Sequence, residues 1–254
     1  MKKSALFLPL AAVAFVFLTV IGCKKKEELV NTVTTPTYTC TTCITTPEAK
    51  SAYDNSSRGM YKGIVIGSSG TIKFDIGNTD TSTIKAYMVI DGVSVTLTAN
   101  VKWVAGSSYV SPFTGTLNGE TVSITFSVDA TGSNPTVTSM TIPGHPNATL
   151  AIAKETSTSL IKVFEGTAKN TTTSKNATFN LMLSTSLKRW YARVREDGST
   201  DASKVEGTFD NNVLSFDDGK GATGSATLSG DNIINGTWKN SKPEAGTWEA
   251  KRTL

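Results

Sequence analysis

The stretch TIKAYMVIDGVSVTLTA, residues 83–99, decides the fold class of this chain. Apolar side chains occupy every second position on both sides of Asp91-Gly92, which is the period of a β-strand with one buried face. An Asp-Gly pair between two alternating runs is typical of a tight two-residue turn. Residues 83–99 therefore predict two antiparallel strands joined in a hairpin.

The same pattern recurs along the chain after Arg58. Asn118-Gly119 is a second hairpin signal, and short alternating runs continue to the C-terminus, among them ATFNLML, KRWYARV, NIINGTW and AGTWEAKR. No window of a dozen residues has a helical stripe. We therefore predict an all-β fold, an antiparallel meander that forms a barrel or barrel-like sandwich. Most strands have one face of Thr, Ser, Lys and Asp, which disfavours a barrel that crosses a membrane.

The body of the chain contains two similar halves, predicted at residues 58–155 and 156–254. Three pairs of stretches support this division: 60–76 with 163–183, 84–92 with 188–198, and 113–126 with 205–216. The last pair aligns Gly115 with Gly207, so we expect these glycines at equivalent strand bends. Leu117 and Phe209 should then be core residues.

The N-terminus has a different character. Lys2 and Lys3 precede the apolar run Leu6–Ile21, as in a secretion signal. Val20-Ile21-Gly22-Cys23 resembles the lipobox of bacterial lipoproteins, although Val20 stands where leucine is usual and Ile21 where a small residue is usual. The resemblance implies that residues 1–22 are a cleaved signal peptide and that Cys23 carries fatty-acyl chains such as palmitate.

The residues after Cys23 bear on the location of the protein. In the alternative of a single membrane-spanning anchor, Lys24–Lys26 would lie outside, against the positive-inside tendency. Lys24 is not the aspartate that resembles an inner-membrane retention signal, and Lys26-Glu27-Glu28 resembles a short export signal of surface lipoproteins. We expect a lipid anchor in the outer membrane, on the periplasmic face or the cell surface.

Residues 23–57 are rich in threonine and predict a flexible tether. Within it, Cys40 and Cys43 are separated by two threonines. A redox pair would need a helix N-terminus to lower a thiol pKa, and a metal site would need further ligands. The spacing therefore favours a local disulfide in an oxidising compartment.

The sequence contains few groups for catalysis. His145 is its single histidine, and the body has no cysteine, phosphate loop or dinucleotide motif. The net charge is +4, with two lysines in the first 22 residues, so a nucleic-acid partner is not expected. We predict no enzyme activity, no cofactor and no metal. A hydrolase with paired carboxylates is the least favoured alternative, its candidates being Glu120, Glu165, Glu196 and Glu206.

Tryptophans crowd the second half of the body. Trp238 and Trp248 each follow Gly-Thr and lie ten residues apart, so they should face the same side, and Trp190 precedes them. The spacing of these Gly-Thr-Trp strands and of the Gly-Thr-Leu/Phe strands resembles that of lipocalin-like and avidin-like barrels.

Two roles remain open for Trp190, Trp238 and Trp248: barrel-core residues, or ligand-facing aromatics at a cavity. The second role predicts a membrane-anchored, ligand- or surface-binding lipoprotein, with a glycan or a hydrophobic small molecule as partner. A structural or adhesive surface protein without a small ligand is the alternative.

Overall fold

Alternation of apolar and polar residues produces strands almost throughout the body. The structure, a computed structural model, describes residues 38–66, 70–79 and 84–254, all within a compact unit that begins at Thr37. No helix in these ranges is long and apolar enough to cross a membrane. The described residues form a short 3-10 turn at Ser51–Tyr53 and sixteen strands: β1 (Gly59–Ile66), β2 (Gly70–Ile76), β3 (Ile84–Ile90), β4 (Val93–Ala99), β5 (Tyr109–Leu117), β6 (Glu120–Val128), β7 (Thr136–Thr141), β8 (Thr149–Glu155), β9 (Ile161–Asn170), β10 (Asn176–Ser184), β11 (Arg189–Glu196), β12 (Ser203–Asp210), β13 (Val213–Asp217), β14 (Thr223–Ser229), β15 (Asn232–Lys239) and β16 (Ala245–Arg252).

The strands form two antiparallel meanders with the same topology, which confirms the predicted fold class. In the first barrel, β1–β8, each strand pairs with the next up to β7, and β8 returns to pair with β1. Among the described residues, β7 and β8 do not pair, so this barrel is nearly closed. In the second barrel, β9–β16, β16 pairs with β9 and closes the sheet. The break between them falls between Glu155 and Ile161, and the division made on the sequence falls after residue 155.

The predicted equivalence of Gly115 and Gly207 is wrong. Gly115 lies in β5, the fifth strand of its barrel, whereas Gly207 lies in β12, the fourth strand of the other. The resemblance arose because a Gly-Thr strand followed by an Asn-containing turn is a general hairpin signal. Leu117 and Phe209 are nevertheless core residues, with 4% and 7% exposure.

Large side chains fill the interior of the first barrel. Tyr61, Phe74, Phe113 and Phe126 are fully buried, and the rings of Phe74 and Phe126 stack with centroids 4.7 Å apart. The Tyr61 hydroxyl donates a hydrogen bond to the Ser57 carbonyl, so its polar atom is satisfied inside the core. The first barrel is therefore a solid body.

The predicted tether is not a free coil over residues 38–57, which we call the strap. The Cys40 N–H donates to Asp231 Oδ2 at 3.0 Å, and Arg252 donates to the Ile44 carbonyl. Further along, the Lys50 N–H donates to Asn78 Oδ1 at 3.0 Å. The strap is thus bound to both barrels by polar contacts. The remaining residues of the tether up to residue 37, with Cys23 and the signal segment, lie outside the described residues.

A buried ion pair joins the strap to both barrels. Lys62 Nζ on β1 lies 2.7 Å from Glu155 Oε2 at the end of β8, and both side chains are fully buried. Glu155 also accepts hydrogen bonds from the backbone N–H groups of Glu48 and Ile161. One carboxylate therefore holds the strap, the first barrel and the start of β9; we call this arrangement the Glu155 junction.

The barrels pack against each other through their outer faces. Ile64 of β1 contacts a cluster formed by Ile161, Val163 and Met182 of the second barrel. Beside it, the Asn180 side chain donates to the backbone carbonyls of Val65 and Gly70. The apolar cluster and the satisfied amide fix one outer face of the second barrel against the first.

We expect Glu155→Gln to lower the free energy of unfolding by about 3 kcal/mol, because it leaves the buried Lys62 ammonium with only the Glu48 carboxylate, 3.2 Å away, as counter-ion. Denaturant unfolding monitored by circular dichroism measures the change. Glu196→Gln is the matched control, since Glu196 pairs with an exposed lysine and should have little effect. Equal stability of the two variants would contradict a structural role for the junction.

Candidate functional site: a cavity in the second barrel

The second barrel is hollow at one end because its inward-facing side chains are small there. Ala168, Ala177, Ala192, Val194 and Val205 leave a cavity of about 570 Å³. That volume lies within the usual range for small-molecule sites. Two barrels of one topology thus differ in the size of their interior residues.

The cavity opens at the end where the hairpin loops are long. The loops after β9, β11, β13 and β15 have five, six, five and five residues, whereas those after β10, β12 and β14 have four, two and two. Polar side chains surround the opening: Asn170, Lys175, Asn176, Glu196, Ser199, Asp201, Ser203, Lys239, Asn240 and Glu244. The opposite end is closed by buried apolar side chains: Phe164, Leu183, Phe209, Leu214 and Ile233.

All three tryptophans singled out in the sequence line the cavity. Trp190 and Trp248 are buried, with ring centroids 6.0 Å apart, and Trp238 is half-buried beside them. Trp238 and Trp248 face the same interior, as predicted from their spacing. The two roles left open are compatible, because the rings belong to the core and also form the cavity wall.

Each of these tryptophans packs over a glycine of the neighbouring strand. The register places Trp190 opposite Gly207, Trp248 opposite Gly236 and Trp238 opposite Gly246. A Cβ atom at Gly207 would lie 2.8 Å from the Trp190 ring, too close for an ordinary contact. The glycines are therefore required for space. For Trp238 and Trp248, the recurrence of glycine two residues before tryptophan was the sequence signal for this arrangement, whereas the pairing of Trp190 with Gly207 depends on the register alone.

Two of the indole N–H groups are already bonded to the backbone. Trp190 Nε1 donates to the carbonyls of Thr208 and Ser215, and Trp248 Nε1 donates to that of Thr237. Within the described residues, Trp238 Nε1 has no hydrogen-bond partner. The deep wall of the cavity therefore presents aromatic and aliphatic surface, and its hydrogen-bonding groups are concentrated towards the opening.

Charged groups of both signs lie at the opening. Lys175 forms an ion pair with Glu196, and the hydrogen bond that Lys175 donates to this carboxylate raises the pKa of Lys175. The Asn240 side chain donates to Glu244 Oε2 at 2.7 Å. The opening is thus polar without a strong excess of either charge.

The structure places the other candidate residues away from the cavity interior. Cys40 and Cys43 form a disulfide in the strap. His145, between β7 and β8, has its Nε2 3.5 Å from Asp91 Oδ2. The four glutamates are not gathered in one cleft: Glu120 begins β6, Glu206 pairs with Lys204, and only Glu165 and Glu196 line a common groove, which lies outside the second barrel.

Comparisons of this chain with protein-family models, with curated proteins and with solved structures found no match. The body therefore shares an all-β, barrel-like fold class with lipocalin-like and avidin-like proteins, and no closer relation is established. A function has to be inferred from the residues of the chain itself.

We expect Gly207→Ala to destabilise the protein by about 1–3 kcal/mol, because the added methyl group must displace Trp190 or the facing backbone. Near-ultraviolet circular dichroism should change as well, since the indole environment shifts. Ser225→Ala on the outer face of the same barrel is the control, with a change within about 0.5 kcal/mol. A Gly207→Ala protein as stable as the control would show that the packing over glycine is loose.

Proposed function

We propose that this chain is a lipid-anchored protein of the bacterial outer membrane whose second barrel binds a hydrophobic small molecule. The observation that carries the proposal is the cavity: it is open at one end, walled by Trp190, Trp238 and Trp248, and rimmed by polar groups. A concave apolar site with few polar groups at its edge is the usual form of a small-molecule site.

The chemistry of the wall favours a hydrophobic ligand over a glycan. A sugar has many hydroxyl groups, and each loses its bonds to water unless the site replaces them. The N–H groups of Trp190 and Trp248 are bonded to the backbone and cannot supply such bonds. A ligand with an apolar body in the cavity and a polar end at the rim fits this distribution.

Binding is favoured over catalysis by the position of the titratable groups. Those that line the cavity are Lys175, Glu196, Asp201, Lys239 and Glu244, and all belong to the rim. An acid or base acts on a bound molecule only within hydrogen-bond reach of the reacting atom. The apolar depth of the cavity is suited to holding a molecule rather than to transferring its protons.

The described strap begins at the closed end of the second barrel. Asn232 donates to the Tyr38 carbonyl at the closed end of the second barrel. The same strand, β15, reaches the opening at Lys239, about 23 Å away at the usual rise per residue. The described strap therefore starts at the end of the second barrel that lies opposite the opening.

A cavity-filling substitution tests the binding site. Val205→Trp should weaken binding of the neutral fluorophore N-phenyl-1-naphthylamine by about tenfold or more, because the indole occupies the ligand volume. Val110→Trp places the same residue on the exposed surface of the first barrel, where Val110 is 52% exposed, and should bind as the unmodified protein does. Fluorescence titration measures both, and equal affinity of the two variants would contradict the proposed site.

The anchor is tested separately. Cys23→Ser should abolish acylation, so that the protein leaves the membrane fraction or keeps its signal segment. Intact-mass analysis of the unmodified protein should show a chain that begins at Cys23 and carries the mass of acyl chains. Cleavage at another residue without added acyl mass would refute the anchor.

A further inference from the structure

The outer face of the second barrel carries a row of arginines. In β11, Trp190, Ala192 and Val194 point inwards, so the alternate residues point outwards. These outward residues are Arg189, Tyr191, Arg193 and Arg195. We use the term arginine face for Tyr191, Arg193 and Arg195 together with Lys204 of β12.

The register of the sheet brings like charges together on this face. Arg193 lies directly opposite Lys204, and like charges at directly opposed positions destabilise a sheet. Both cations lie near the Tyr191 ring, at 5.8 Å and 5.6 Å from its centroid. Lys204 also pairs with Glu206 Oε2 at 2.9 Å. Glu206 is thus engaged by Lys204 and does not serve as a counter-ion for Arg193.

Arg195 is a buried cation without a counter-ion. Its side chain is only 9% exposed and donates to the Asn147 carbonyl of the first barrel. Within the described residues, neither Arg193 nor Arg195 forms an ion pair, and the Nε atom of each is buried without a hydrogen-bond partner. Burying a guanidinium group without an anion is costly, so the site is built for a ligand that supplies one.

A groove of about 450 Å³ runs beside Arg195 on this outer face. Its polar lining includes Thr167, Thr178 and Ser199, which offer hydroxyl groups, whereas the Asn180 amide beside them already donates to the carbonyls of Val65 and Gly70. Three carboxylates also line it: Glu165, Glu196 and Asp197. Burial, together with the nearby Asp91 carboxylate, raises the pKa of Glu165, and Glu196 is neutralised by Lys175. The groove thus brings Arg195, which forms no ion pair within the described residues, together with hydroxyl groups and three carboxylates, one of which is paired with Lys175.

We propose that the arginine face and its groove bind an acidic polysaccharide, one that bears carboxylate or sulfate groups. Guanidinium groups bind such oxyanions through paired hydrogen bonds, and the threonine and serine hydroxyls and the carboxylates of the groove suit the sugar hydroxyl groups between the charges. Carboxylates such as Glu165 and Asp197 can accept hydrogen bonds from sugar hydroxyl groups, which a DNA duplex does not offer, so a polysaccharide fits this face better than DNA. This site lies on the outside of the barrel, shares only Glu196 and Ser199 with the rim of the cavity, and does not depend on the ligand proposed there.

Binding to immobilised polygalacturonate and to dextran sulfate tests the proposal, with neutral dextran as the control polymer. The full chain should bind at least one acidic polymer, with an affinity that falls as salt rises, and should not bind dextran. Arg195→Gln and the double substitution Arg193→Gln with Lys204→Gln should each weaken binding by about tenfold or more. Lys188→Gln is the matched control: Lys188 is a cation of the same barrel already paired with Asp210 at 2.8 Å, and its loss should change affinity by less than about twofold.

One further readout and one further variant separate a lost site from a lost fold. Each variant should keep its affinity for N-phenyl-1-naphthylamine. If Arg195→Gln does not fold, the double substitution at Arg193 and Lys204 tests the proposal. Failure of the full chain to bind either acidic polymer, or a loss with Lys188→Gln as large as that of the variants, would overturn the proposal. Tighter binding to double-stranded DNA through the same residues would overturn it in favour of a nucleic-acid site.

Discussion

The buried ion pair between Lys62 and Glu155 is the interaction on which the arrangement of this molecule depends. Glu155 ends the last strand of the first barrel, and its two carboxylate oxygens accept from the strap and from the first residue of β9 while they neutralise Lys62. A carboxylate can be buried only when its charge and lone pairs are satisfied in this way. The start of the second barrel is therefore positioned by a group of the first.

The two barrels that this junction joins differ in their interiors. The first is filled by aromatic rings and offers a rigid outer face, against which Ile161, Val163 and Met182 pack. The second keeps its interior partly open, because small residues and glycines face inwards and long loops keep one end wide. Its opposite end is sealed and receives the strap, so the described part of the strap does not cover the open end. Residue size and loop length produce this difference within one topology.

The predictable part of the structure is the part encoded by local pattern. Residues 84–99 form the expected hairpin, and Trp238 and Trp248 share a face because they lie ten residues apart. The strap was missed because nothing periodic marks it: Cys40 is held by Asp231, a partner 191 residues away. The alignment of Gly115 with Gly207 failed because similar hairpin sequences occur at different strand positions in the two barrels. The cavity, too, depends on the summed size of residues from many strands, which no single motif reports.

The contrast between a solid and a hollow barrel is the central claim, and xenon binding in the crystal tests it most directly. Xenon occupies apolar cavities without needing polar partners, so it reports empty volume rather than specific chemistry. We predict xenon in the second barrel beside Trp190 and Trp248, and none among Tyr61, Phe74 and Phe126 of the first. Xenon inside the first barrel, or its absence from the second, would contradict the account.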